Sequence, residues 1–276
     1  MKRNKDPEYA LVTGASSGIG WHMARMLAER GYHIFAVSNQ ADRLEMLRKK
    51  LEGDYHVHVH TLFMDLAREN AALEVFQYSQ KEGLHVEILV NNAGVMVYGE
   101  TIDVNFPETR SIMQLHMTTP ALMCRLFGEK MAFRRSGWIL NVASISAVMP
   151  YPTISLYGPT KTFLRNFTRA IRTEMKPLGV GTTCLIPGAT DTSLNDANEL
   201  SYDRVKKFGL VKNPEVVARK GLQALFKNRA ECIPGFFNWC IVKLVPILPY
   251  ILVDLVYRKL YIKRKKSHKH VSKVQE

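Results

Sequence analysis

The sequence predicts an α/β protein, a single domain built on a doubly wound parallel sheet. Three observations lead there. Short apolar runs alternate with helix-periodic segments along residues 9–233, the order in which strands and crossover helices build a parallel sheet. The first run empties into a glycine-rich loop that opens directly into a helical segment. A compact β-branched run at 86–90 ends in small and amide residues, which suit the crevice at the carboxyl ends of strands where open parallel sheets bind ligands. At 276 residues and 46% hydrophobic content, the chain is long enough to bury one large core.

Residues 9–12 form the first predicted strand, and T-G-A-S-S-G-I-G at 13–20 joins it to a helix over 21–30. That order suits a dinucleotide pyrophosphate: Gly14 turns the chain, Gly18 and Gly20 allow close backbone approach, and the helix N-terminus attracts phosphate. Gly14, Ser16, Ser17, Gly18, Ile19 and Gly20 are the candidate cofactor contacts of this loop. A second strand at 33–37 runs into V-S-N-Q, with no Asp or Glu to bind a ribose 2′-hydroxyl. This favours NADP over NAD and makes Asn39 a candidate contact. No Arg stands at 38 or 39 to grip a 2′-phosphate, which leaves Arg43 as the substitute.

A helix over 41–51 turns Leu44, Leu47 and Leu51 inward, and a third strand follows at 57–63. His56, His58 and His60 alternate along it and share one exposed face; no Cys or carboxylate cluster joins them, so no metal site is expected. Asp65 closes this strand, where it either meets an adenine amino group or caps a helix over 67–82. The strand at 86–90 ends in N-N-A-G, with Asn91, Ala93 and Gly94 as candidate contacts. A long helix over 108–133, a strand over 138–142 ending at Ser144 and a helix over 155–176 come next. A strand over 181–186 closed by P-G-A-T-D-T at 187–192, a helix over 214–227 and a short strand near 231–233 complete a domain of residues 1–235.

Between the last three long segments lies a proton-transfer device. Tyr157 and Lys161 stand at i and i+4 on one helix face, and Ser144 precedes the tyrosine by thirteen positions at a strand end. A phenol of pKa about 10 is a poor acid or base near neutrality, and a fixed ammonium beside it lowers that value. A serine hydroxyl against the reacting oxygen holds a carbonyl or alkoxide while the tyrosine passes the proton. None of the three carries a hydride, so the chemistry needs a cofactor.

Net charge is +13, but residues 258–276 hold eight Lys/Arg against Glu276, a net of +7 that leaves +6 for the other 257 residues. The body is mildly basic and the tail is a separate feature, too common a one to signal nucleic-acid binding. Cys124, Cys184, Cys232 and Cys240 lack the spacing of a zinc site or a disulfide framework and read as reduced thiols. The N-terminus runs into the first strand without an apolar signal core, which predicts a cytoplasmic start. Residues 236–276 form an extension, first apolar and then polybasic; Lys243, Pro246, Pro249 and Asp254 interrupt any clean spanning helix. Its composition suits a segment lying on an anionic membrane surface, against the alternative of a cover over the cleft or a partner subunit.

Thr13–Gly20, Asn91–Gly94, Ser144, Tyr157–Lys161 and Pro187-Gly188 stand in the order of the motifs T-G-x-x-x-G-x-G, N-N-A-G, catalytic Ser, Y-x-x-x-K and P-G. On these the chain resembles the short-chain dehydrogenase/reductase family across residues 8–235, nearest the group that reduces fatty-acyl, sphingoid-base and steroid ketones. The resemblance implies a seven-stranded Rossmann-type sheet and hydride transfer between a nicotinamide and a carbonyl carbon. Tyr157 would be the acid/base, Lys161 would lower its pKa and hold the ribose hydroxyls, and Ser144 would position the substrate oxygen. Pro187, Gly188 and Thr192 would meet the nicotinamide end, and residues 189–212 would form a substrate lid. A homodimer or homotetramer packed through the helices near 108–133 and 155–176 is also implied. One departure stands out: the family's relay asparagine on the long helix is His116 here. Its main-chain carbonyl survives, and an imidazole could itself shuttle protons near neutrality.

The function expected is therefore reduction of a hydrophobic ketone (3-ketosphinganine, 3-ketoacyl or steroid type) with NAD(P)H. Val95, Met96, Met149, Tyr151 and Leu194 are the apolar residues expected near the pocket. A nucleotide-binding scaffold of little turnover at a membrane surface is the alternative, opposed by the intact Ser144, Tyr157 and Lys161.

Overall fold

The computed structural model describes residues 8–148, 152–191 and 212–249, together with 251, 252, 254, 255, 258 and 259. Its strands are β1 (Glu8–Thr13), β2 (His33–Ser38), β3 (Val59–Phe63), β4 (His85–Asn91), β5 (Gly137–Val142), β6 (Val180–Leu185) and β7 (Glu231–Cys232). They form one seven-stranded sheet in the order β3-β2-β1-β4-β5-β6-β7, every neighbouring pair parallel. The helices are α1 (Gly18–Ala28), α2 (Ala41–Tyr55), α3 (Ala71–Lys81), α4 (Phe106–Met113), α5 (Thr119–Arg134), α6 (Tyr157–Met175), α7 (Pro214–Phe226) and α8 (Phe236–Leu244).

Central strands are buried along nearly their whole length because helices cover both faces, which is why they read as continuous apolar runs. Alternate residues feed two cores. Ala10, Val12, Ile34 and Ile88 pack with Met23 and Leu27 of α1, Leu44 and Leu47 of α2 and Leu222 of α7. Leu11, Phe35, Val37 and Leu89 pack on the other side with Val75 of α3 and Met123 and Phe127 of α5. Each fully buried side chain of this size contributes about 1.5–3 kcal/mol. Strand order reverses beside β1, so the carboxyl ends of β1 and β4 flank the crevice in which such sheets bind ligands.

Two expectations are corrected. β3 begins at Val59, because His56 ends α2 in the left-handed conformation at φ 54° and the His58 ring sits tilted against that of His33 at 4.9 Å. Only His60 belongs to the strand, so the three histidines do not share a strand face, and no metal-ligating group of three exists among the described residues. The long helix expected over 108–133 is two helices, α4 and α5, joined by a π-helical turn at Gln114–Thr118. Pro120 explains the break, since it has no N–H to offer the carbonyl four residues earlier, that of His116. All four cysteines are free, and burial pushes the Cys124 and Cys184 thiols up to about 12.

Arg172 locks α6 to the far edge of the sheet. Its Nη1 donates to Thr182 O at 2.6 Å and to Asn228 Oδ1 at 2.7 Å, and Nη2 donates to Asn228 O at 2.6 Å. Arg172→Ala is expected to lower unfolding free energy by about 2–3 kcal/mol, since it strands partly buried carbonyls that accepted charge-assisted bonds; urea denaturation reads this directly.

Candidate active site

The crevice is built around a side-chain clasp between β1 and β4. Thr13 Oγ1 donates to Val90 O at 3.2 Å and accepts from the N–H groups of Asn92 and Ala93 at 2.9 and 3.0 Å. Asn92 Nδ2 returns the contact, donating to Thr13 O at 3.0 Å and Gly14 O at 3.2 Å. The loop is held so close that only glycine fits. Gly14 has φ +63°, and a Cβ there would sit 2.9 Å from Ala93 Cα; at Gly20 it would sit 2.2 Å from Gly14 O. Ser17, at the N-cap of α1, makes no side-chain cap bond, so the first-turn N–H groups remain available to an anion.

In front of this loop lies a cleft of about 390 Å³. Its floor is Gly14 and Ser16–Ile19; Ser38, Asn39 and Gln40 extend it at the end of β2, Asp65 at the end of β3, and Ala93, Gly94 and Val95 at the end of β4. The side-chain-uncapped helix N-terminus, the Cβ-free loop and a lining that runs from β1 to the ends of β2, β3 and β4 fit a dinucleotide. Asp65 serves the turn as well, its Oδ1 accepting from Ala67 N–H at 2.9 Å.

Beyond Gly94 the reactive side chains converge. Ser144 follows β5, and its Oγ accepts from Ser146 N–H at 3.2 Å, which leaves its proton to donate. The Ser144 hydroxyl lies near enough to the Tyr157 phenol to favour its ionised form. Lys161 is 4% exposed, donates from Nζ to Val142 O at 3.2 Å, and stands 5.6 Å from the centre of the Tyr157 ring. Burial, outweighing the Ser144 hydroxyl and helped by nearby Tyr98, pushes the Tyr157 phenol up to about 12, while burial holds Lys161 down at about 8. The lysine was expected to lower the tyrosine; here desolvation wins. Tyr157 is half-buried. At neutral pH the phenol is an acid.

His116 sits in the π-turn, 1% exposed, its ring 5.5 Å from that of Tyr157. Its Nε2 accepts from Val95 N–H at 3.0 Å, and Nδ1 lies 3.0 Å from Thr160 Oγ1. Thr160 spends its own proton on Tyr157 O at 2.8 Å, so Nδ1 carries the imidazole hydrogen and donates. The ring is thereby held neutral, and burial followed by the Lys161 charge depresses its pKa well below the usual histidine range. A second proton would set two donors against each other. The imidazole shuttle expected from the sequence is not supported by this geometry. A small void of about 10 Å³, bounded by His116, Lys161, Thr13 and Asn91, adjoins the ring.

A family model for short chain dehydrogenases matches residues 8–202. The chain belongs to the short-chain dehydrogenase family. Very-long-chain 3-oxoacyl-CoA reductase-A of Danio rerio is 30% identical across 71% of this chain and 62% of the relative. Reductase-B of the same fish is 27% identical across 97% of this chain and 86% of the relative. The chain thus spans less than two thirds of the first relative's length. A short-chain dehydrogenase from Sphingobium yanoikuyae, solved with NADPH, shares the fold at a TM-score of 0.77 and 23% identity, over 93% of this chain and 95% of that one.

The loop residues expected at the cofactor, Gly14, Ser16, Ser17, Gly18 and Ile19, line the cleft with Asn39, Asp65, Ala93 and Gly94. Gly20 lies behind them as packing. Asn91 turns its side chain inward, donating to Asn141 Oδ1 at 2.8 Å, and Asn92 takes the place beside the loop. Pro187 accepts from Ile145 N–H at 2.9 Å and Gly188 abuts Asn238 of α8, so both border the Ser144 side. Thr192, Met149, Tyr151, Leu194 and most of the 189–212 segment lie outside the described residues. The ends of that segment meet, with Asp191 N–H donating to Lys212 O at 3.0 Å. Asn92 and Tyr98 were not singled out from sequence; Asn92 was visible in the N-N-A-G motif, whereas nothing local marks Tyr98. Gly20→Ala is expected to weaken NADPH binding by about tenfold or more, read by quenching of cofactor fluorescence.

Proposed function

We propose that this protein is an NADPH-dependent reductase of hydrophobic 3-oxoacyl thioesters. The observation that carries the direction is a Tyr157 phenol kept protonated beside Ser144 and a buried Lys161. The nicotinamide supplies the hydride when the cofactor is bound in the crevice. The Ser144 hydroxyl donates a hydrogen bond to the substrate carbonyl oxygen and fixes its place, and Tyr157 transfers its proton to the same oxygen as the alcohol forms. Lys161, still charged at neutrality, steadies the phenolate left behind and holds the cofactor ribose. His116 acts as a strut that ties the Val95 amide to α6, and a small void beside Lys161 adjoins it. That void is about the size of one water.

NADPH over NADH is supported by the absence of a carboxylate at the end of β2, where Ser38, Asn39 and Gln40 line the cleft and exposed Arg43 follows in the first turn of α2. The 3-oxoacyl substrate is supported by the similarity to the two Danio rerio 3-oxoacyl-CoA reductases. Peripheral contact with the cytosolic face of a membrane is supported by the exposed apolar side chains Phe236, Phe237, Ile247 and Ile251, and no helix among the described residues is long and apolar enough to cross a bilayer. A homodimer or homotetramer through α4, α5 and α6 is supported by exposed Phe106, Leu122 and Phe133.

NADPH oxidation against a 3-oxoacyl-CoA series, 3-ketosphinganine and ketosteroids tests the assignment. Tyr157→Phe should lower kcat/KM by about 10²–10⁴ while NADPH affinity stays. Failure of every ketone in the wild-type protein would remove the reductase reading. Because Lys161 must keep its proton, kcat for reduction should fall as pH rises through about 8, and a flat profile from pH 7 to 9.5 would deny it that role. His116→Asn should retain the shape of the profile between pH 5 and 7, whereas His116→Leu should lose about 1–3 kcal/mol of stability by stranding the Val95 amide.

A further inference from the structure

A second cavity, of about 470 Å³, lies between α7, the end of β7 and α8. Its wall carries Lys220, Lys227, Arg229 and Lys243 against a single carboxylate, Glu231. That carboxylate is already taken: Arg165 grips it with two bonds at 2.8 and 3.3 Å, and Lys243 approaches it only at 3.8 Å. Lys220, Lys227 and Arg229 have no carboxylate within ion-pair reach among the described residues. Three uncompensated cations around one concavity repel each other, and a polyanion seated among them removes that cost. Trp239 stands at the rim, 47% exposed, with Phe236 stacked on its indole at 6.2 Å. An indole held in this way is a platform for a purine ring.

The position also bears on the reaction. Lys227 and Arg229 precede β7, and Cys232 and Ile233 carry the cavity wall on to its carboxyl end, the end of the sheet that also holds the crevice. Its α8 wall packs on the turn Ile145–Val148 that follows Ser144, with Val242 seated on Ala143 and Ile186. One helix therefore separates the cationic cavity from the substrate side of Ser144.

We propose that this cavity binds the adenosine phosphate end of a coenzyme A thioester, its phosphates on Lys220, Lys227 and Arg229 and its adenine against Trp239. The assignment rests on the thioester reading of the substrate. The shared chemistry is a phosphate-bearing ligand, and the phosphate of an anionic lipid headgroup is the other source of it.

The test compares one 3-oxoacyl chain carried on coenzyme A and on N-acetylcysteamine, which lacks every phosphate, in the wild-type protein and in Lys227→Glu/Arg229→Glu. The expected result is a KM about tenfold or more lower for the coenzyme A thioester in the wild type, a preference lost in the variant and in high salt. Turnover of the N-acetylcysteamine thioester should not change. Adenosine 3′,5′-bisphosphate should inhibit competitively against the coenzyme A thioester alone. Equal KM values for the two carriers would overturn the site while leaving the reductase reading intact; no turnover of either would sink that reading first, and then absence of adenosine 3′,5′-bisphosphate binding by calorimetry would overturn the site. Vesicles of phosphatidylcholine with and without phosphatidylserine form the other arm. Phosphatidylserine-dependent sedimentation abolished in Lys227→Glu/Arg229→Glu, with no carrier preference, would assign the cavity to a headgroup and overturn the coenzyme A assignment.

Discussion

Much of the site depends on the clasp between Thr13 and Asn92. Two parallel strands that part at a topological switch point leave their last carbonyl and amide groups without ladder partners, and here one threonine hydroxyl and one side-chain amide satisfy them. The clasp holds the glycine loop and the segment after β4 at a separation that admits no Cβ at Gly14 or Gly20. It thereby shapes the floor of the crevice and aims Gly94 and Val95 at the reactive side chains. One hydroxyl on three backbone groups and one amide on two more fix two loops against each other.

Behind the clasp runs a buried polar spine. Asn91 donates to Asn141 on β5, Asn141 donates to Thr168 on α6 at 2.9 Å, and Thr168 donates to Leu164 O at 2.6 Å. A chain of satisfied bonds in a low-dielectric interior resists displacement, because breaking any one leaves a buried polar atom without a partner. The spine sets β4, β5 and α6 in register, and α6 carries Tyr157 and Lys161 at its first turns. Burial of both groups follows from that docking. Desolvation lifts the phenol and lowers the ammonium, so that proton donation by the tyrosine and charge on the lysine coexist near neutrality.

The departure at residue 116 shows how a local sequence feature reshapes a helix without losing the site. Pro120 deprives the His116 carbonyl of its helical partner, and the chain answers with a π-turn that swings the imidazole between Val95 and Thr160. An asparagine amide and a neutral imidazole each present both a donor and an acceptor group, so the exchange keeps both kinds of bond within reach. It also adds an aromatic edge against Tyr157.

The sequence by itself determined the sheet, its crossovers, the glycine loop and the Ser144–Tyr157–Lys161 trio, because strand periodicity, glycine spacing and i, i+4 geometry are local properties of the chain. Tertiary structure decided what those signals could not. Asn91 faces the core and Asn92 the loop because only the docking of β5 beside β4 supplies Asn141 as a partner. His56 leaves the strand because α2 runs further than its leucines indicated. The direction of the Tyr157 shift was misread from sequence, since a neighbouring lysine is visible in the chain and desolvation is not. The cationic cavity beside Trp239 was invisible for the same reason: Lys220, Lys227, Arg229 and Lys243 are scattered over two helices and a turn, and only the packing of α7, β7 and α8 brings their charges around one hollow.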